Sequence, residues 1–102
     1  MSTIKSIPEA TLVKIQEILR QSHKVESAVL YGSHAKGTAK PRSDIDLAIK
    51  GSELDRFDIA DLLLAFDESD IISEIDLQNY QEIKNVLLKD HIDRVGIEVY
   101  KL

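Results

Sequence analysis

Gly32-Ser33-His34-Ala35-Lys36-Gly37, followed by Ser43-Asp44-Ile45-Asp46-Leu47, is the stretch that decides how this chain reads. A glycine-bearing turn stands about ten residues before two carboxylates that alternate along a strand-like segment. Side chains at i and i+2 of a strand share a face, so Asp44 and Asp46 stand side by side while Ile45, Leu47 and Ile49 point into a core. Adjacent carboxylates repel unless a cation lies between them. Mg²⁺ suits that place, because it takes carboxylate and phosphate oxygens while keeping some of its waters. The turn offers backbone N–H groups that can cradle a phosphate. Together they point to nucleotide chemistry.

Working outward, Ser6-Ile7-Pro8-Glu9 reads as a helix start, with Ser6 as N-cap and Glu9 completing a capping box. Leu12, Ile15 and Leu19 at helical spacing carry that helix to about Gln21. Residues 27–31 read as a first strand. Residues 33–36 open a short helix that Gly37 stops, and residues 38–43 form a loop. A second strand covers residues 44–49. Ile59, Leu62, Leu63 and Phe66 fall at i, i+3, i+4 and i+7, the stripe of an amphipathic helix over about residues 53–67. A third strand is expected over 72–78. A helix follows over 80–91 with Ile83, Val86 and Leu87 as its apolar stripe, and a last strand over 95–101 turns Val95, Ile97 and Val99 inward. The expected class is α/β (α+β), a mixed four-stranded sheet with helices packed mainly on one face.

The chain has 102 residues, the size of one domain, which buries roughly 60–70% of its unfolded surface. It contains no cysteine, which excludes disulfides, thiolate metal sites and a cysteine nucleophile. The first residues lack the apolar core of a signal peptide, and the longest apolar run, residues 62–66, is too short to span a bilayer. A soluble, cytoplasmic protein is expected. The net charge of −5 argues against a broad nucleic-acid footprint, although Lys36, Lys40 and Arg42 cluster near the acidic pair. Three local cations suit one triphosphate better than a polynucleotide. A solvated basic loop is the plainer reading of that trio. His23 reads as a residue capping the first helix, His91 as a cation suiting a helix C-terminus, and Tyr31 as packing.

The turn and the acidic pair resemble the signature of nucleotidyltransferases of the DNA polymerase β type, and more narrowly of the minimal nucleotidyltransferase (MNT) group. Gly32, Ser33, Gly37, Ser43, Asp44, Asp46 and Leu47 match it, and Ile75-Asp76-Leu77 matches the strand that carries the family's third carboxylate. Two positions depart from the pattern. His34 and Lys36 stand where basic residues are usual, and Lys36 lacks the bidentate fork of arginine. The resemblance implies the nucleotidyltransferase fold, catalytic and metal-binding roles for Asp44, Asp46 and Asp76, and nucleotide contacts from Gly32, Ser33, Lys36 and Ser43. Three converging carboxylates would hold two Mg²⁺ ions, the arrangement used for in-line phosphoryl displacement. Glu74 shares a strand face with Asp76 and is the alternative third ligand. Ser43 can also act by orienting the loop.

The activity so implied is transfer of AMP from ATP to an acceptor hydroxyl. With only a short stretch after Asp76, no acceptor-binding domain is expected in this sequence. MNT proteins are paired with helical HEPN-domain toxins, so the resemblance implies a HEPN partner, an antitoxin role and a tyrosine acceptor. Homo- and hetero-oligomers both stay open. The rival reading is a nucleotide-binding module that neutralises its partner by docking alone. Transfer to a small molecule is a third reading.

Overall fold

The computed structural model describes residues 6–40 and 42–102. The reading of the first residues as leaderless, and Pro41 within the loop, lie outside the described residues.

Helix α1 (Glu9–Arg20) buries Leu12, Ile15, Ile18 and Leu19, the spacing visible in the sequence. Its start differs from expectation. Pro8 takes the N-cap position, and the Ser6 hydroxyl pairs with His34 Nδ1 at 2.6 Å instead of capping the helix. Strand β1 (Ser27–Tyr31) runs straight into the five-residue helix α2 (Gly32–Lys36), which Gly37 closes in the left-handed conformation at φ 78°. Strand β2 (Ile45–Lys50) follows the loop. Helix α3 (Arg56–Asp67) opens on a reciprocal capping box between Asp55 and Asp58. Leu62 and Phe66 are buried as expected, whereas Leu63 faces outward.

Strand β3 (Ile75–Asn79) begins three residues later than the sequence suggests. The preceding residues hold the end of α3 instead: the Ser69 hydroxyl donates to the Phe66 carbonyl and accepts from the Ile71 N–H. The helix expected over 80–91 is also broken. Tyr80–Glu82 make a 3₁₀ turn, and helix α4 (Val86–Val95) starts afresh where the Asn85 side chain accepts from the Leu87 and Leu88 N–H groups. That new start rotates the helix, so Val86 and Leu87 are 77% and 80% exposed and Ile92 is its buried residue. Val95 ends α4, and strand β4 (Ile97–Lys101) buries Val99 and Tyr100.

The sheet order is β3-β2-β1-β4. β1 pairs antiparallel with β2 and β4, while β2 and β3 run parallel, joined through α3. The sheet is therefore mixed. Its larger core joins α1 and α3 to one face through Ile15, Leu19, Leu30, Leu47 and Ile49, each contributing roughly 1.5–3 kcal/mol when fully buried. The opposite face carries a smaller cluster of Tyr31, Ala48 and Ile92 under α4. Helices thus lie mainly on one face, and α4 covers part of the other.

Candidate active site

Parallel pairing of β2 with β3 sets Asp46 directly opposite Asp76, and antiparallel pairing sets Tyr31 on the other side of Asp46. Neighbouring strands lie roughly 5 Å apart, so two carboxylates on adjacent strands share one small region of the sheet face. Burial pushes the Asp46 carboxyl above the ordinary aspartate range, and the charges of Asp76 and Asp44 push it further. Burial likewise raises the Tyr31 phenol to about 12, helped by Asp46 and Asp76.

Asp44 is exposed at the end of the loop, one residue before β2. The Ile45 N–H donates to the Glu74 carbonyl at 2.8 Å, which brings Glu74 alongside Asp44 just ahead of β3. Asp76, inside the strand, is the residue in register with Asp46. An open groove of about 850 Å³ runs from Asp44, Glu74 and Asp76 along Leu63, Leu64 and Ile71 of the α3 side. Nothing in the periodicity announces this groove. Its one signal is a run of three leucines, Leu62-Leu63-Leu64, of which only the first is buried.

The glycine turn is packed onto this carboxylate face. Gly32 adopts φ 75°, and a Cβ there would collide with the Asp46 carboxylate. Only glycine allows that conformation together with that approach. The Gly32 N–H donates to His91 Nε2 of α4 at 3.3 Å, and the His91 ring stands edge-on to Tyr31. Ser33 lies at the same turn, half-buried, and Lys36 is exposed one helical turn later.

His34 faces neither solvent nor the open side of the turn. It is 3% exposed, its Nε2 pairs with the Ser43 carbonyl at 2.9 Å, and its Nδ1 pairs with the Ser6 hydroxyl. It straps the segment before α1 to the residue preceding Asp44. Ser43 is itself tied to the loop, since its hydroxyl oxygen accepts from the Lys40 N–H at 3.0 Å and its own N–H donates to the Lys40 carbonyl. Lys40 and Arg42 are exposed. His23 is exposed, and Gln21 caps α1.

Among the described residues, no three His, Cys, Asp or Glu side chains stand close enough to hold a metal on their own. The facing pair is nonetheless suited to a hard divalent cation. Its donors are carboxylate oxygens, and the burial and neighbouring negative charge that raise Asp46 are offset by a cation. Mg²⁺ is commonly bound by one or two carboxylates, with substrate phosphates and water completing its shell.

A glycine turn laid on facing carboxylates in a small mixed sheet is an arrangement suited to nucleotidyl transfer. Comparison with known proteins agrees. The chain belongs to the Polymerase beta nucleotidyltransferase family, which matches residues 13–102, and it is a nucleotidyltransferase. Two Methanocaldococcus jannaschii proteins, MJ0128 and MJ1379, carry the inferred name protein adenylyltransferase. They are 31% and 30% identical to it over 98 and 95 residues, covering 91% of this chain and 94% of each relative. Among solved structures, a chain of a toxin–antitoxin complex with AMP-PNP superposes with a TM-score of 0.74 at 27% identity, covering 89% of this chain and 73% of that one. A chain from the complex of a tri-AMPylated Shewanella oneidensis HEPN toxin with its MNT antitoxin shares the fold. Its TM-score is 0.63 at 24% identity, over 89% of this chain and 70% of that one. The resemblance to the MNT group holds. Among the described residues no helix is long and apolar enough to cross a membrane.

Proposed function

We propose that this nucleotidyltransferase moves AMP from ATP to a tyrosine hydroxyl of a HEPN-domain toxin in the cytoplasm, and so acts as the toxin's antitoxin. The observation that carries the reading is Asp46 facing Asp76 across parallel strands, with the Gly32–Ser33 turn laid on Asp46. The adenylyltransferase names of the relatives support AMP as the group moved. The toxin–antitoxin complex with AMP-PNP supports the nucleotide and the biological setting.

In this reading Ser33 and the turn hold the β- and γ-phosphates, with Lys36 adding charge from its exposed position. Asp46 and Asp76, facing each other, would hold Mg²⁺ together with the substrate phosphates and water, and Asp44 would complete the site on closing toward them. When bound, Mg²⁺ neutralises the facing carboxylates and the triphosphate, and it lowers the proton affinity of the acceptor hydroxyl. The groove beside Asp44 and Asp76 admits the acceptor, whose oxygen bonds to the α-phosphorus as the bond to the β-phosphate oxygen breaks. The hydroxyl proton passes to Asp76, and pyrophosphate leaves. Catalysis is then positioning and electrostatics, without a covalent enzyme intermediate.

One observation favours a second reading. His34 is buried as a strap, so the turn presents one fewer cation to a phosphate than the family pattern provides. A nucleotide-binding module that neutralises its partner by docking would tolerate that loss. Intact-mass measurement of a HEPN-domain partner after incubation with this chain, ATP and Mg²⁺ separates the two. Added AMP masses on a tyrosine, absent with Asp46→Asn, are the expected result. An unchanged mass, with a complex equally stable for both chains, would establish docking alone.

A further inference from the structure

We propose that His91 is a positioning residue for nucleotidyl transfer, holding the Gly32 amide from α4 and thereby setting the turn that receives the triphosphate. The inference rests on the reading of that turn as the triphosphate cradle.

The Gly32 N–H donates to His91 Nε2 at 3.3 Å across 59 residues of sequence. A ring nitrogen that accepts carries no proton, so the bond requires the neutral tautomer protonated on Nδ1. His91 is held from two further sides. Its ring meets the Tyr31 ring edge-on, with centroids 6.1 Å apart at 81°, and Ile92 beside it is 1% exposed and anchors α4 on the sheet. Tyr31 and Gly32 are consecutive residues at the exit of β1, and His91 touches both. It therefore grips the point where the strand turns.

That grip matters because the Gly32 backbone is doubly constrained. It sits at φ 75°, and its α-carbon lies against the Asp46 carboxylate. A glycine released from its partner has more freedom to leave that conformation than any other residue. With the Gly32 amide engaged by His91, the amides left to meet phosphate belong to Ser33 and the residues after it. The bond thus decides which N–H groups face the nucleotide and how rigidly they do so. Preorganised donors bind a triphosphate more tightly than donors that must first be ordered.

The test uses the full chain and Mg²⁺ with AMP-PNP as the probe, comparing His91→Ala, His91→Phe and His91→Gln by calorimetric affinity and thermal melting. Phenylalanine keeps the ring against Tyr31 but has no acceptor, while the glutamine amide oxygen reaches the former Nε2 position. Loss of about tenfold in affinity for Ala and Phe is expected, with Gln within about threefold of the wild type. The Gly32 amide resonance in ¹⁵N spectra should shift in Ala and Phe and stay near its wild-type position in Gln. Equal affinities for all three variants, or a Gln variant as weak as Phe at matched melting temperature, would overturn the positioning role. A wild-type chain that binds no AMP-PNP would instead overturn the reading of the turn, and the role of His91 with it.

Discussion

At the scale of the residue, the site is a set of local conflicts of the kind that a divalent cation would relieve. Asp46 is raised chiefly by burial and further by Asp76 and Asp44. A carboxyl whose folded value lies above its unfolded one favours the folded state at low pH, and that contribution disappears as pH rises through the folded value. At neutral pH the ionised group therefore works against folding. Asp46→Asn should raise the melting temperature in metal-free buffer at pH 7 while reducing AMP transfer by at least about 10²–10³-fold. Calorimetric melts beside a mass-based transfer assay check both halves, and Mg²⁺ should raise the melting temperature of the wild type alone. Gly32→Ala meets a steeper penalty, since it combines a left-handed backbone with a collision at Asp46. A loss of roughly 1–3 kcal/mol in chemical denaturation is expected, together with loss of nucleotide binding. His34 shows where residue type alone misleads. Its position in the motif left phosphate contact and solvent equally open, but its two ring nitrogens are committed to Ser6 and Ser43.

At the scale of the element, caps rather than periodicity set the boundaries. The apolar residues Ile83, Val86 and Leu87 fall at a spacing that reads as one helix from Tyr80, yet the backbone is extended at both Ile83 and Asn85. Tyr80 explains part of the break, because its hydroxyl donates to Asp93 at 2.6 Å while the Lys50 and Lys89 ammoniums lie over its ring. Asn85 was the available signal, as asparagine is a favoured N-cap. Asn85→Ala should cost about 1 kcal/mol and lower the melting temperature by about 4–8 °C, whereas Leu87→Lys should stay within about 0.5 kcal/mol of the wild type. If Leu87→Lys were the more damaging of the two in thermal melts, the uninterrupted helix would be the better description. Helix α3 carries the converse lesson. Its capping box is legible as Asp55 and Asp58 three residues apart, but which of Leu62, Leu63 and Leu64 is buried depends on where α3 rests on the sheet.

At the scale of the whole molecule, charges distant from the site tie the helical layer together. Lys24, after α1, contacts Asp58 of α3 at 3.2 Å. The Asp58 carboxyl lies below the ordinary aspartate value, held there first by the Asp55 N–H and then by the Lys24 ammonium. A depressed carboxyl stabilises the fold above the unfolded value, and that contribution is lost as pH falls through the folded one. The melting temperature of Asp58→Asn should thus lie below that of the wild type at pH 6, with the gap narrowing as pH falls below the ordinary aspartate value. A constant gap across that range would assign the effect to packing. Much of the architecture was legible from local pattern: α1, β1, the turn, β2 and the class of fold follow from apolar spacing and glycine placement, which are properties of neighbouring residues. The acidic residues were legible too, because aspartates inside an apolar strand conflict with strand preference. By itself, then, the sequence determined most of the elements, though not all their boundaries, and the chemical types of the candidate site. Tertiary structure alone decided that Asp76 rather than Glu74 stands in register with Asp46, that His34 is a strap, and that His91 reaches Gly32. Each is a contact between residues far apart in the chain, set by strand register and helix docking, and short-range periodicity carries no information about either.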